Sequence, residues 1–139
     1  MFRGIATISL TASDLDAAAT WYTEVFGIEP YFRVPGYVEF RVGDHSTEVG
    51  IIEAQFAGSE LSRTAAADPA RPAGAVVLWH VDDLDGALAK LTTMGAREWD
   101  PVRDRGEGFT TATVVDPFGN VLGVMRNPNY LAVHDGQDG

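Results

Sequence analysis

Cysteine is missing altogether from the 139 residues, which excludes a disulfide framework, thiolate metal ligands and a cysteine nucleophile. Histidine is scarce: His45 falls in an expected turn and His134 in the C-terminal tail, leaving His80 alone on an expected strand. No apolar run approaches the ~20 residues that a membrane helix needs. The first residues also lack the basic-then-apolar pattern of a secretory leader, so the expected location is cytoplasmic, with no membrane partner. Basic residues are few, ten against twenty acidic ones, for a net charge of −10. That balance disfavours nucleic acid, whose affinity for proteins comes largely from Lys and Arg neutralising phosphates. It serves solubility first and mildly favours cationic ligands.

What is present is a globular composition, 45% hydrophobic, in a chain long enough to bury about two-thirds of its unfolded surface as one domain. It is also a repeat. "ATISLTASDLDAAATWYTEVFGIE" (6–29) and "AVVLWHVDDLDGALAKLTTMGARE" (75–98) share one grammar: a short apolar run, then Asp-Leu-Asp, then a helical pattern. Leu15, Ala18, Ala19 and Tyr22 fall on one helix face, and Leu84, Ala87, Leu88 and Leu91 on the other helix's equivalent. Ser13 and Asp82 or Asp83 are expected N-caps, while Gly27 and Gly95 suit the left-handed position after each helix. Strand patterns follow at 31–34, 37–42 and 47–52 in the first unit and at 98–103, 109–115 and 120–125 in the second. Turn chemistry separates them, as in "PG" (35–36) and "DPFGN" (116–120). The expected class is α+β, a βαβββ module over 4–54 and another over 75–128, with a linker at 55–74 and a fraying tail at 129–139. Tyr130 and Leu131 are the tail residues able to dock on the body.

A duplicated βαβββ with Asp-Leu after the first strand, and "DPFGN" before the last, resembles the vicinal oxygen chelate superfamily over residues 4–128. That superfamily comprises the glyoxalase I, bleomycin-resistance and extradiol dioxygenase-like proteins. The resemblance implies curved mixed sheets around a cup, often completed in a homodimer. It does not imply one function, because members include metalloenzymes and metal-free binding proteins. Metal-using members carry His, Gln or Glu ligands on the first and last strands of each module. Counting from Asp14-Leu15 and Asp83-Leu84, those positions are Thr7, Gly50, Val76 and Gly123. None is a ligand for a divalent cation, so no metal and no cofactor is expected. A relocated site from His80, Glu48 and Glu39 is the conceivable exception.

Strand alternation then assigns faces. Thr7, Ser9 and Thr11, Glu48, Gly50 and Ile52, Val76, Leu78 and His80, and Val121, Gly123 and Met125 are expected to face the cup. Ile8, Leu10 and Ala12, Val77, Trp79 and Val81, and Leu122 and Val124 are expected under the helices. The expected ligand-binding set is Thr7, Ser9, Glu48, Gly50, Leu78, His80, Phe109, Gly123 and Met125, with Phe109 at the mouth formed by "DRGEGF". Small hydroxyls, aliphatics and a few polar groups are the make-up of a small-molecule pocket. The two glycines, Gly50 and Gly123, are expected to open its floor. The function this favours is a metal-independent small-molecule binding protein, sequestering a metabolite or antibiotic. The alternative is a lyase, isomerase or dioxygenase with a relocated metal site, or metal-free chemistry with His80 and Glu48 as acid–base pair. His80 as a hydrogen-bonded structural residue is the competing reading of that side chain.

Overall fold

Each repeat folds as a four-stranded mixed sheet with a helix against one face. The computed structural model describes residues 1–56 and 75–138. The first module runs β1 (Thr7–Ala12), α1 (Leu15–Phe26), β2 (Phe32–Val34), β3 (Tyr37–Val42) and β4 (Thr47–Glu53). Its strand order is β1-β4-β3-β2, with β1 parallel to β4 and the rest antiparallel. The second module repeats this: β5 (Val77–His80), α2 (Leu84–Thr93), β6 (Arg97–Gly106), β7 (Phe109–Val115) and β8 (Val121–Arg126), in the order β5-β8-β7-β6. A turn of 3-10 helix, Ala54–Phe56, follows β4. Beyond it, the expected linker lies outside the described residues.

Both helices start on the aspartate of Asp-Leu. Asp14 accepts the Ala17 N–H at 3.1 Å and Asp83 accepts the Gly86 N–H at 3.0 Å, each satisfying a donor that the first helical turn leaves orphaned. Ser13 is therefore not the cap; the carboxylate one residue later is the group that reaches the third helical amide. Gly27 ends α1 at φ 70°, its N–H on the Thr23 carbonyl, a conformation glycine adopts without a Cβ penalty.

The core of the first module lies between α1 and its sheet. Leu15, Ala18, Ala19 and Tyr22 meet Val38, Phe40, Val49 and Ile51, all buried. Fully burying side chains of this kind contributes roughly 1.5–3 kcal/mol each for the large ones. Tyr22, Phe26 and Phe40 continue as a run of ring contacts, at 5.2 Å and then 5.4 Å between centroids. The turn Phe118–Asn120 groups with this first unit. Asn120 Oδ1 accepts the Thr11 N–H at 3.2 Å, and its Nδ2 donates to the Thr11 carbonyl at 2.9 Å. Phe118 sets its edge on Trp21, 6.1 Å between centroids. In the second module Leu91 of α2 is buried, as are Ala112, Val114, Leu122 and Val124 of the sheet.

Two features depart from the expectation. The tail is helical: Pro128–Asp138 forms a third helix, α3. Asn127 caps it by accepting the Tyr130 N–H at 2.9 Å, and proline at the first helical position loses no needed donor. Strand β6 is also longer than its pattern, ten residues opposite the seven of β7. Its pairing is interrupted between Glu98 and Asp100, Asp100 and Arg103, and Asp104 and Gly106, which scrambles the alternation that reveals a strand.

Candidate functional site

The face of the first sheet opposite α1 is built rung by rung. Thr7 pairs Glu48, which pairs Arg41; Ser9 pairs Gly50, which pairs Glu39; Thr11 pairs Ile52, which pairs Tyr37. Side chains two apart share a face, so Thr7, Ser9, Tyr37, Glu39, Arg41 and Glu48 gather around Gly50. Thr7 donates its hydroxyl to Glu48 Oε2 at 2.8 Å, and Arg41 lies 4.0 Å from Glu48 Oε1. The guanidinium of Arg41 stacks on Tyr31, 3.6 Å from the ring centroid. Tyr37 donates its phenol to Glu39 Oε1 at 2.9 Å.

Gly50 does not leave an open floor. A Cβ there would lie 2.6 and 2.8 Å from Cε2 and Cζ of Tyr37 and against its hydroxyl; the tyrosine ring occupies the space. Gly123 holds the equivalent rung of the second sheet, between Leu78 and Thr113. Its Cβ would lie 2.6 Å from Cδ2 of Leu78 and 2.7 Å from the carbonyl oxygen of Val77. Both glycines are close-approach positions, filled from within their own sheets.

The remaining expected residues divide by sheet. Thr7 and Ser9 are exposed and Glu48 half-buried on the first. On the second, Leu78 is exposed, while Phe109 and Met125 are half-buried. His80 stands apart, its side chain only 7% exposed. Its Nδ1 accepts the Asn127 N–H at 3.1 Å, which places the ring proton on Nε2, 3.4 Å from Asp82 Oδ1. Tyr130 of α3 stacks over the ring at 5.0 Å and 13°, and His134 stacks on Tyr130 at 6.0 Å. Its contacts thus run to the C-terminal helix and the residue before it. A cleft of about 650 Å³ lies elsewhere, beside the first turn of α1, lined by Asp16, Arg33, Val34, Gly36 and Glu53 among others. An Asp16–Arg33 ion pair of 3.8 Å spans it.

A family model, the Glyoxalase/Bleomycin resistance protein/Dioxygenase superfamily, matches residues 4–124. The chain belongs to this superfamily. Solved structures with the same fold include a glyoxalase-related enzyme from Fulvimarina pelagi, at 23% identity over 91% of this chain and 90% of that one, TM-score 0.69. Another is FosX, the genomically encoded fosfomycin resistance protein of Listeria monocytogenes, complexed with Mn(II) and sulfate. It is 12% identical over 97% and 99% of the two chains, with a TM-score of 0.69. The cadmium-induced protein CadI of Mycobacterium tuberculosis is 34% identical over 55 residues, 40% of this chain and 36% of that protein. The match therefore spans about a third of that relative's length.

A superfamily member that binds a metal through the first and last strands of its modules needs donors at the positions held here by Thr7, Gly50, Gly123 and Val76, the last directly before β5. The residues present do not fit a divalent cation, because two have no side chain, one is aliphatic and one is a neutral hydroxyl already bonded to Glu48. Among the described residues no group of three or more His, Cys, Asp or Glu could hold a metal ion.

Tyr37 and Arg41 are residues of this face that sequence reasoning missed, and Glu39 entered it only as a member of the relocated metal site. The signal was available in "YVEFRV", whose alternation puts Tyr37, Glu39 and Arg41 on the face opposite Val38, Phe40 and Val42. Tyr37 is also chemically distinct. Burial, with the acceptor Glu39 beside it, pushes its phenol up to about 12, so it is a neutral hydrogen-bond donor at physiological pH. Because the folded value is raised, the stability it contributes is intact below the ordinary tyrosine range near pH 10 and lost as pH climbs through about 12. Urea denaturation between pH 9 and 12 is expected to show this fall, and Tyr37→Phe to flatten it; an unchanged slope in the variant would disprove the linkage.

Proposed function

We propose that the protein is a metal-independent small-molecule binding protein, a cytoplasmic homodimer that sequesters a metabolite or antibiotic on the open faces of its sheets. The observation that carries this is the contrast between the two faces of the first sheet. One is packed with Val38, Phe40, Val49 and Ile51, while the other presents Thr7, Ser9, Tyr37, Glu39 and Glu48, all at least partly accessible. Hydrogen-bonding groups of mixed type beside exposed Phe32 and Val34 are what orient a small ligand over apolar surface. The donor set at the metal positions supports the metal-independent part. The acid–base alternative draws no support from His80, whose Nδ1 is committed and whose ring is covered by Tyr130.

The test is a fluorescence titration of exhaustively chelated protein against a panel of metabolites and antibiotics. Saturable binding that survives chelation is expected, and Ser9→Trp, at an exposed rung opposite Gly50, should weaken it about tenfold or more by filling the space beside Glu39 and Glu48. Silence across the panel, or activity that returns only with added metal, would overturn the proposal.

A further inference from the structure

The second sheet carries a feature that small-molecule binding in general does not require. Residues three apart on a regular strand face opposite sides. On β6, however, Asp100 stands opposite Thr113 and Arg103 opposite Thr111, so three steps on β6 match two on β7. The extra residue turns both side chains to the face that holds Leu78, Gly123 and Met125. A further irregularity falls at Arg105, between Asp104 and Gly106, and Arg105 reaches the same face: its Nε–H donates to Thr111 Oγ1 at 3.0 Å. Bulges are a common means of re-aiming side chains beside functional sites.

The result is one carboxylate held by two guanidinium groups. Arg103 Nε lies 2.9 and 3.1 Å from the two oxygens of Asp100, and its Nη2 lies 2.8 Å from Oδ1. Arg105 Nη2 is 3.8 Å from Oδ2. Asp104, between the two arginines in sequence, pairs opposite Thr110 and accepts the Gly106 N–H. Within the ion pairs of the cluster, two guanidiniums therefore face one carboxylate, in a chain whose net charge is −10. Both arginine side chains are 52% exposed, and Arg105 directs only Nε–H into a hydrogen bond among the described residues. The threonines add to this. Thr111 Oγ1 accepts from Arg105 and Thr113 Oγ1 accepts the Asp100 N–H at 3.1 Å, which leaves each hydroxyl proton as a donor. Guanidinium and hydroxyl donors converging on one place are the chemistry of oxyanion recognition.

We propose that Arg103, Arg105, Thr111 and Thr113 form an anion-binding site on the second sheet, taking the carboxylate, phosphate or phosphonate group of a small molecule. Asp100 is its internal counter-ion: it holds Arg103 in place and keeps the two guanidiniums from repelling until a ligand arrives. The proposal rests on the reading that the open faces receive a small molecule, and adds the charge of that molecule.

The probes are phenylphosphonate and benzoate, with benzyl alcohol as the neutral control, followed by amide and arginine Nε–H shifts in the ¹⁵N-labelled protein. Saturable shifts at Thr111, Thr113 and the Arg105 Nε–H are expected for both anions and not for the alcohol. Arg105→Gln and Arg103→Gln should each weaken binding about tenfold, the loss of one charge-assisted contact. Asp100→Asn, which removes the competing carboxylate, should tighten it about threefold; a purely structural cluster would not gain affinity from that change. The same spectra report whether each variant is folded. Equal affinity in wild type and Arg105→Gln, or anion shifts confined to other elements, overturns the proposal. If the anions fail while neutral compounds shift Ser9 or Leu78, the anion site is wrong and small-molecule binding stands. If nothing shifts either sheet, both fall.

Discussion

Gly123→Ala is expected to cost about 3 kcal/mol of stability, as overpacking of a close-packed position does, and to lower Tm by roughly 10 °C for a chain of this size. The added methyl would sit 2.7 Å from the Val77 carbonyl oxygen, a backbone atom fixed by the parallel pairing of β5 and β8. The Leu78 side chain, also in contact, can swing aside, but that oxygen cannot. Gly50→Ala meets a side chain instead, the ring of Tyr37, so it should cost less and the loss should be recovered in part by Tyr37→Ala. That coupling is read from a double-mutant cycle in urea. Gly123→Ala with wild-type stability, or additive effects at Gly50 and Tyr37, would remove the basis for calling the glycines seats for their neighbours.

Asn120→Ala is expected to be equally damaging. It strips the partners from the Thr11 N–H and carbonyl, in a residue only 1% exposed. Leaving two buried backbone groups unsatisfied costs about 3 kcal/mol. Asn120→Asp separates this from a simple volume effect, since a carboxylate keeps the acceptor for the Thr11 N–H but faces the Thr11 carbonyl without a proton to donate. That carboxyl should be raised in the folded state, so the variant gains stability on acidification, as the protonated acid regains the donor. A variant whose stability relative to wild type is flat from pH 7 to pH 4 would refute the reciprocal pair.

Much of the fold was legible because periodicity and turn chemistry agreed. "TEVGII" and "YVEFRV" alternate cleanly, and Pro35-Gly36 and Gly27 stand where a turn and a helix end require them. The failures share a physical cause: each depends on a partner distant in sequence or on the direction of one side chain. Thr11 finds Asn120 across 109 positions, which no local pattern contains. The tail reads as polar, yet its helix is held by Tyr130 stacking on His80. Gly50 and Gly123 stand out as glycines inside strands, but the sequence does not say that the groups against them are Tyr37 and Leu78. On β6 the bulges bring Asp100 to the same face as Arg103, Arg105 and Thr111, a grouping that strict alternation does not predict.

The seating of Tyr37 on Gly50 and Leu78 on Gly123 also bears on how this chain can change. Glutamate introduced at either glycine alone collides with its neighbour, and removing the neighbour alone leaves a hole with no new donor. Neither single step is profitable, so a path to a metal-binding descendant has to cross a valley in which two residues change together, in each half of the repeat, before the first strand contributes anything at Thr7 or Val76. The glycines thus act as an epistatic lock: substitutions that are simple on paper are order-dependent here, and drift around these rungs is confined to sequences that keep the tyrosine and the leucine where they lie.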